Sequence, residues 1–527
     1  MNKIYAILFF SLCVSVAFAQ DTCPIIPQPL SVQRNHGAFI LNNNISIQTS
    51  NKQMLSVANY LQSELLQSIH IAVPLNLQDN KQRTIILEYK GGLNNEEYIL
   101  SISPAAIIIS GRDNVALFNG INSLLQLILC NNTLEQGKPL VQVDCWLIKD
   151  KPRYQWRGLM VDESRHFFGK QEIEKILNWM AFYKLNKFHW HLTDGSGWRL
   201  EIKNYPKLAL IGGIGNNTDT NARASFYTQQ DIEEIVSYAK ERFITIIPEI
   251  DMPGHATAAN RAYPEFSGGG SKKFPDFTFN PGKEGTYAYL MGIIREVDAL
   301  FPSQMIHIGG DEVHFGNENW ITKPEVNTLM KQNKLPDISA VEKYFDRRMA
   351  DSVISLNNKV LAWDEDVEVG IPKDKSIIFW WRQDKPQILD KALSNGYQVV
   401  LCPRRPFYLN YSQDSLHVHG PFNGKQTNTS PDVYNFSLPK MSSGINNGQV
   451  LGLQVNLWTE LVETNQRLEF LLFPRLAALA ENAWTADKRK NYDDFKNRLA
   501  LHYKLYDLMR LYYYNLTYPA KNVEPVR

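Results

Sequence analysis

The feature that most constrains this chain is a rhythm between residues 151 and 505. Short apolar segments end in polar or aromatic residues, and amphipathic stretches follow several of them. The segments are 157–162, 187–194, 244–251, 305–312, 359–365, 376–382, 397–401 and 450–460. Helical spacing of apolar residues lies between them, as at 170–183 and 228–242. Near-continuous apolar runs of this length read as strands buried on both faces, which is how parallel sheets are built. Eight such units predict an α/β fold, a (β/α)8 TIM barrel with loop insertions. Functional groups of such barrels gather at the C-terminal strand ends, where these polar residues fall, so one shared pocket is expected. Loops rich in Gly, Asn and Pro at 211–225 and 404–447 are expected near its mouth.

Ahead of the barrel, residues 20–150 read as a small α/β domain. Strands are expected at 84–89, 98–103 and 106–110, and helices at 54–68 and 114–129. No acid–base cluster occurs there, so the domain reads as structural, with a boundary near Lys149 to Pro152. Residues 506–527 are expected to form a C-terminal helix or tail, with a closing helix between Asn491 and Tyr514. Met1-Asn2-Lys3, an apolar stretch and Ala17-Phe18-Ala19 have the form of a signal peptide over residues 1–19. Cleavage after Ala19 and an exported product, periplasmic or secreted, are expected. No later run is long and apolar enough to span a bilayer.

The formal net charge of +1 argues against nucleic-acid or anionic-membrane partners. Past the signal, Cys23, Cys130, Cys145 and Cys402 are too few for a disulfide framework. The N-terminal part has room for one bridge, without a readable pairing. No CxxC or HExxH pattern occurs, so neither a zinc site nor another cofactor is implied.

The chemistry centres on His307-Ile308-Gly309-Gly310-Asp311-Glu312, an apolar strand delivering two adjacent carboxylates to the barrel rim. Neighbouring carboxylates repel, which favours one protonated acid beside one anion. Arg157, Asp194, Asp251, His255, Glu460 and several tryptophans are expected in the same pocket. Carboxylates with one arginine and flat aromatic faces suit a neutral, hydroxyl-rich ring, and no phosphate cradle is present. Glycoside cleavage is the natural reaction class. His189, His191 and His307 lie within apolar strands and read mainly as hydrogen-bonded core residues.

Four ordered motifs carry a family resemblance: Trp156 to Phe167, His191 to Arg199, Pro248 to His255 and His307 to Glu312. Together they resemble glycoside hydrolase family 20, the β-N-acetylhexosaminidases, over about residues 20 to 505. The resemblance implies substrate-assisted retention, in which the 2-acetamido carbonyl attacks its own anomeric carbon to give an oxazolinium ion. It implies Glu312 as general acid and base, Asp311 orienting the acetamide nitrogen, and Tyr408 donating to the acetamide oxygen. It places Arg157 on the sugar hydroxyls with Asp194 and Glu460, and Trp363, Trp381 and Trp458 around the ring. Asp251 and His255 are implied as groups tuning Glu312, whereas Trp380 faces the opposite way and packs.

Two positions depart from the family pattern. Gly195-Ser196 stands where members often have Asp-Gln, and Asn410 where many have an Asp that contacts the 4- and 6-hydroxyls. Asn410 keeps hydrogen-bonding capacity without the charge that repels an anionic group on O6, so tolerance of 6-sulfated N-acetylglucosamine is expected. It also heads an Asn-Tyr-Ser sequon, expected to be unused because a glycan there would block the pocket. The expected activity is exo-acting removal of terminal GlcNAc or GalNAc from a carbohydrate substrate by a monomer or homodimer. A disaccharide-releasing member and a catalytically silent carbohydrate-binding barrel are the alternatives.

Overall fold

A computed structural model describes residues 23–76, 83–131, 141–421, 425–438 and 448–526. The proposed signal peptide and parts of the 404–447 loop lie outside them.

The N-terminal domain is a seven-stranded mixed sheet ordered β1-β7-β5-β6-β4-β2-β3. Its strands are β1 (Ser31–Leu41), β2 (Ser46–Thr49), β3 (Leu75–Asn76), β4 (Thr84–Tyr89), β5 (Tyr98–Ile102), β6 (Ala106–Gly111) and β7 (Val141–Asp150). Alternate residues Ile85 and Leu87, and Ile107 and Ile109, are buried. They share a core with Leu117, Ile121 and Leu124 of the helix Asn114–Asn131. Cys23, Cys130, Cys145 and Cys402 are unpaired thiols, so no bridge staples this domain.

Eight parallel strands then close a barrel: β8 (Trp156–Asp162), β9 (Lys187–His191), β10 (Thr245–Met252), β13 (Met305–Gly309), β14 (Lys359–Trp363), β15 (Ser376–Trp380), β16 (Gln398–Leu401) and β17 (Val450–Leu457). A hairpin of β11 (Ser267–Gly269) and β12 (Thr278–Phe279) is inserted between the third and fourth. All eight expected segments are strands, each ending within a few residues of the expected polar terminus. Parallel pairing runs round to β17 against β8, where Leu457 lies opposite Val161.

Alternation along the strands separates two cores. Ile247, Leu361, Ile377, Phe379 and Val400 pack inside the barrel. Ile246, Ile250, Ile308 and Trp380 pack outward with the surrounding helices. A polar layer crosses the interior as well: His189, His191, Glu249, His307, Gln454 and Asn456 are fully buried. The chain closes with the helix Tyr492–Leu508, whose His502 bonds Tyr183 and the Pro24 carbonyl. No described helix is long and apolar enough to cross a membrane.

One expected site residue is misplaced by the sequence reading. Arg157 is the second residue of β8, so it sits at the N-terminal end of the barrel, away from the strand-end pocket. Its guanidinium bonds Glu96 of the N-terminal domain at 2.6 and 3.3 Å and the carbonyls of Lys184 and Tyr154. Arg157 is therefore a buried interdomain anchor.

Candidate active site

The C-terminal strand ends bring together Asp194, Asp251, His255, Asp311, Glu312, Trp363, Trp381, Tyr408, Asn410, Trp458 and Glu460. The arginine among them is Arg165, three residues beyond the end of β8. Its Nη2 lies 2.6 Å from Asp194 Oδ2, and its Nη1 is 3.3 Å from Asp162 Oδ2. Burial works against the Arg165 cation, but Asp194, Asp162 and Glu460 outweigh it and hold it charged. Both arginines stand in one motif, but only Arg165 lies beyond the strand's C-terminal end. That position was the available signal.

Gly309 and Gly310 turn the chain from β13 into the carboxylate pair with positive φ of 73° and 92°. A Cβ on Gly309 would lie 1.8 Å from Asp251 Oδ1, and one on Gly310 would lie 2.7 Å from Asp366 Oδ1. Side chains are thus excluded twice, by conformation and by two flanking carboxyls. Glu312 itself adopts the left-handed region at φ 55°, as does His255. Non-glycine residues held there cost about 1–3 kcal/mol each and concentrate at functional sites.

Asp311 and Glu312 occupy different environments. Asp311 is largely buried, and its Oδ1 has no hydrogen-bond partner among the described residues. Burial, reinforced by Glu312, pushes Asp311 up to about 7 against the pull of His255. Glu312 keeps 33% of its side chain exposed, so it can reach a leaving group. His255 Nε2 stands 3.6 Å from Glu312 Oε2 and 3.8 Å from Asp311 Oδ2, while its Nδ1 bonds Asp194 Oδ1 at 3.1 Å. Burial disfavours the imidazolium, yet Asp194 and Asp311 carry His255 up to about 9. Burial would raise Asp194, but Arg165 and His255 hold it well below the usual carboxylate range. Asp251 is driven the other way, by burial and by Asp311.

Aromatic rings form one wall. Tyr408 stacks on Trp381 with centroids 6.3 Å apart and lies 6.0 Å from Trp458. Trp363 is deeper, 6.0 Å from Trp458, with its indole N–H donated to Glu249. Glu365 accepts from Trp381 Nε1 and pairs with Arg382, which fixes that ring. The Tyr408–Asn410 turn is held from below by buried Arg475, which donates to the carbonyls of Leu409, Tyr411 and Asn428. Asn410 Oδ1 is buried without a partner among the described residues. Arg475, Glu365 and Arg382 were not singled out by sequence because they act by holding other residues.

Three histidine–carboxylate clusters, His189–Glu249–His307, His191–Asp194–Asp251 and Asp251–His255–Asp311, bring nitrogen and oxygen atoms within 4.8 Å of one another among the described residues. In the second, both His191 nitrogens face carboxylate oxygens at hydrogen-bond distance, whereas in the first His307 Nδ1 accepts from the Gly309 N–H.

Carboxylates around one arginine, backed by flat rings, recognise hydroxyl-bearing rings, and the barrel falls in the glycoside hydrolase class. Comparison with known proteins narrows the class. Residues 154–487 match the sequence model of the glycosyl hydrolase family 20 catalytic domain, and residues 22–151 match that family's domain 2. The chain belongs to glycoside hydrolase family 20. A beta-hexosaminidase of Porphyromonas gingivalis is 31% identical over 90% of this chain, which spans 62% of that relative's length. The exo-β-N-acetylglucosaminidase of Vibrio harveyi, solved in complex with N-acetylglucosamine, superposes with a TM-score of 0.84 at 29% identity, covering 94% of this chain and 78% of that one. The β-N-acetylhexosaminidase of Bacteroides fragilis gives 0.82 at 28% identity, with 95% and 99% covered.

Proposed function

We propose that the protein is an exported, exo-acting, retaining β-N-acetylhexosaminidase that uses its substrate's acetamide as the nucleophile. The observation that carries this reading is the division between buried Asp311, with a free acceptor oxygen, and partly exposed Glu312 beside His255. Glu312 protonates the departing glycosidic oxygen while the acetamide carbonyl attacks the anomeric carbon. Asp311, a carboxylate above about pH 7, accepts from the acetamide N–H and balances the positive charge developing there. Tyr408, on the aromatic wall, donates to the acetamide oxygen and aligns it for attack. Glu312, now a carboxylate, deprotonates the water that opens the oxazolinium ion, so the configuration is retained. Arg165, Asp194 and Glu460 bind the sugar hydroxyls.

The test compares an aryl β-N-acetylglucosaminide with the matching aryl β-glucoside. Turnover of the first and almost none of the second is expected. Equal turnover would overturn the acetamide's participation, and sugar binding without turnover would favour a carbohydrate-binding barrel. N-terminal sequencing of the mature protein checks cleavage after Ala19.

The reading extends to 6-sulfated N-acetylglucosamine. Asn410 brings no negative charge to the pocket edge, and the Arg404 guanidinium stands 5.6 Å over the Trp381 ring. Asn410→Asp is expected to lower the ratio of 6-sulfated to plain substrate turnover. An unchanged ratio would refute this extension alone.

A further inference from the structure

The catalytic reading leaves unused a carboxylate at the centre of the barrel. Glu249 is fully buried on β10 and is surrounded from three other strands. Trp363 Nε1 donates to its Oε1 at 2.8 Å, and His307 Nδ1 lies 3.1 Å from the same oxygen. On Oε2, His189 Nε2 stands at 3.1 Å and His191 Nδ1 at 2.5 Å.

The proton positions follow from the partners. Trp156 Nε1 donates to Gln454 Oε1, which turns the amide nitrogen of Gln454 toward His189 Nδ1 at 3.1 Å. His189 Nδ1 therefore accepts, and its proton sits on Nε2, facing Glu249. His191 differs, because a carboxylate faces each ring nitrogen: Glu249 at Nδ1 and Asp194 Oδ2, 3.1 Å away, at Nε2. Only a doubly protonated ring donates to both. Asp194 continues the chain to Arg165 and, through its Oδ1, to His255 beside Glu312.

We propose that Glu249 is a positioning residue for catalysis: its buried charge keeps His191 an imidazolium, which locks the Asp194 carboxylate that orients both Arg165 and His255. This rests on the catalytic reading above. The charge balance is consistent with the geometry. Burial lowers His189 to about 4, leaving it neutral, whereas Glu249 and Asp194 overcome burial at His191 and raise it to about 10. The ionisable groups around His191 are Glu249, Asp194, Asp162, Asp251 within 4.8 Å and the neutral His189, and the ring edge meets Trp458 at 4.9 Å. Those acting on Glu249 are the three histidines, and Glu249 in turn helps to raise Asp251 and Asp311.

The experiment uses full-length Glu249→Gln, which keeps the shape and the acceptor for Trp363 but removes the charge. Activity on the aryl N-acetylglucosaminide is expected to fall at least tenfold in kcat/KM, by about the loss of one charge-assisted hydrogen bond. The alkaline limb of its pH profile is expected to move to lower pH by at least about one unit, because His191 loses the anion that raises it. A folded variant with the wild-type profile would overturn the proposal, and so would lost activity without a displaced limb, since packing alone gives that. Wild-type protein with 15N-labelled histidine supplies a second readout, needing neither the variant nor turnover. His191, assigned by the signal lost in His191→Gln, is expected to be doubly protonated at pH 8, with His189 a neutral Nε2–H tautomer. A neutral His191 at that pH overturns the proposal even if the enzyme turns over. Absent turnover with a charged His191 would refute the catalytic reading instead.

Discussion

Replacing Arg165 with glutamine removes a cation held by Asp194 at 2.6 Å and Asp162 at 3.3 Å in a nearly buried setting. Removing one partner of a buried ion pair costs about 3–5 kcal/mol, because the other charge stays behind uncompensated. At about 1.4 kcal/mol per factor of ten, the full cost equals about 10²- to 10⁴-fold. Part of it is borne by the free fold, so about a 10²-fold fall in kcat/KM is expected. Arg157→Gln is the matched control, because it breaks a pair of similar depth with Glu96 at the far end of the barrel. It is expected to lower the thermal midpoint while leaving kcat/KM within about twofold. The assay is initial-rate hydrolysis of an aryl β-N-acetylglucosaminide, with a thermal melt of each variant. If folded Arg157→Gln loses as much activity as Arg165→Gln, the assignment of pocket and anchor is refuted.

Glu312→Gln is expected to keep the fold and lose about 10²- to 10⁴-fold in turnover of a substrate with a poor leaving group, the range for removing a general acid. Asp311→Asn is expected to stabilise the protein while impairing turnover. With Asp311 raised from 3.8 to about 7, its favourable contribution is present below pH 3.8 and lost as pH rises through 7. The melting advantage of the variant over wild type should therefore open between pH 4 and 7 and stay level above. An advantage that shrank with rising pH would contradict the burial argument. Glu96→Ala should lower the melting temperature through the interdomain pair without changing the pH profile of activity, as melts and initial rates across pH would show.

The barrel was legible because most of its strands are nearly unbroken apolar runs, and such runs tolerate few other readings. β1 was not legible, since most of Ser31–Asn35 faces solvent and carries no apolar alternation. The carboxylate pair was legible from the strand-to-glycine transition at Ile308-Gly309-Gly310. Arg157 was misread because one motif carries two arginines, and only the strand's direction decides which reaches the mouth. The charge state of His191 could not be read either. The sequence showed histidines inside apolar strands, but not that β9 and β10 set His191 opposite Glu249.

The squeeze on Gly309 and Gly310 also limits how this protein can be diversified. A library randomised across 309–312 should return glycine at its first two positions in every active clone, because the neighbouring Asp251 and Asp366 leave no volume to trade. New specificities must then be sought on the rim, at Gly195-Ser196 and at Arg404, Arg405 and Asn410. Around Asn410 the backbone is supported from below by Arg475, through the Leu409 and Tyr411 carbonyls, so that side chain can change without moving the carboxylates.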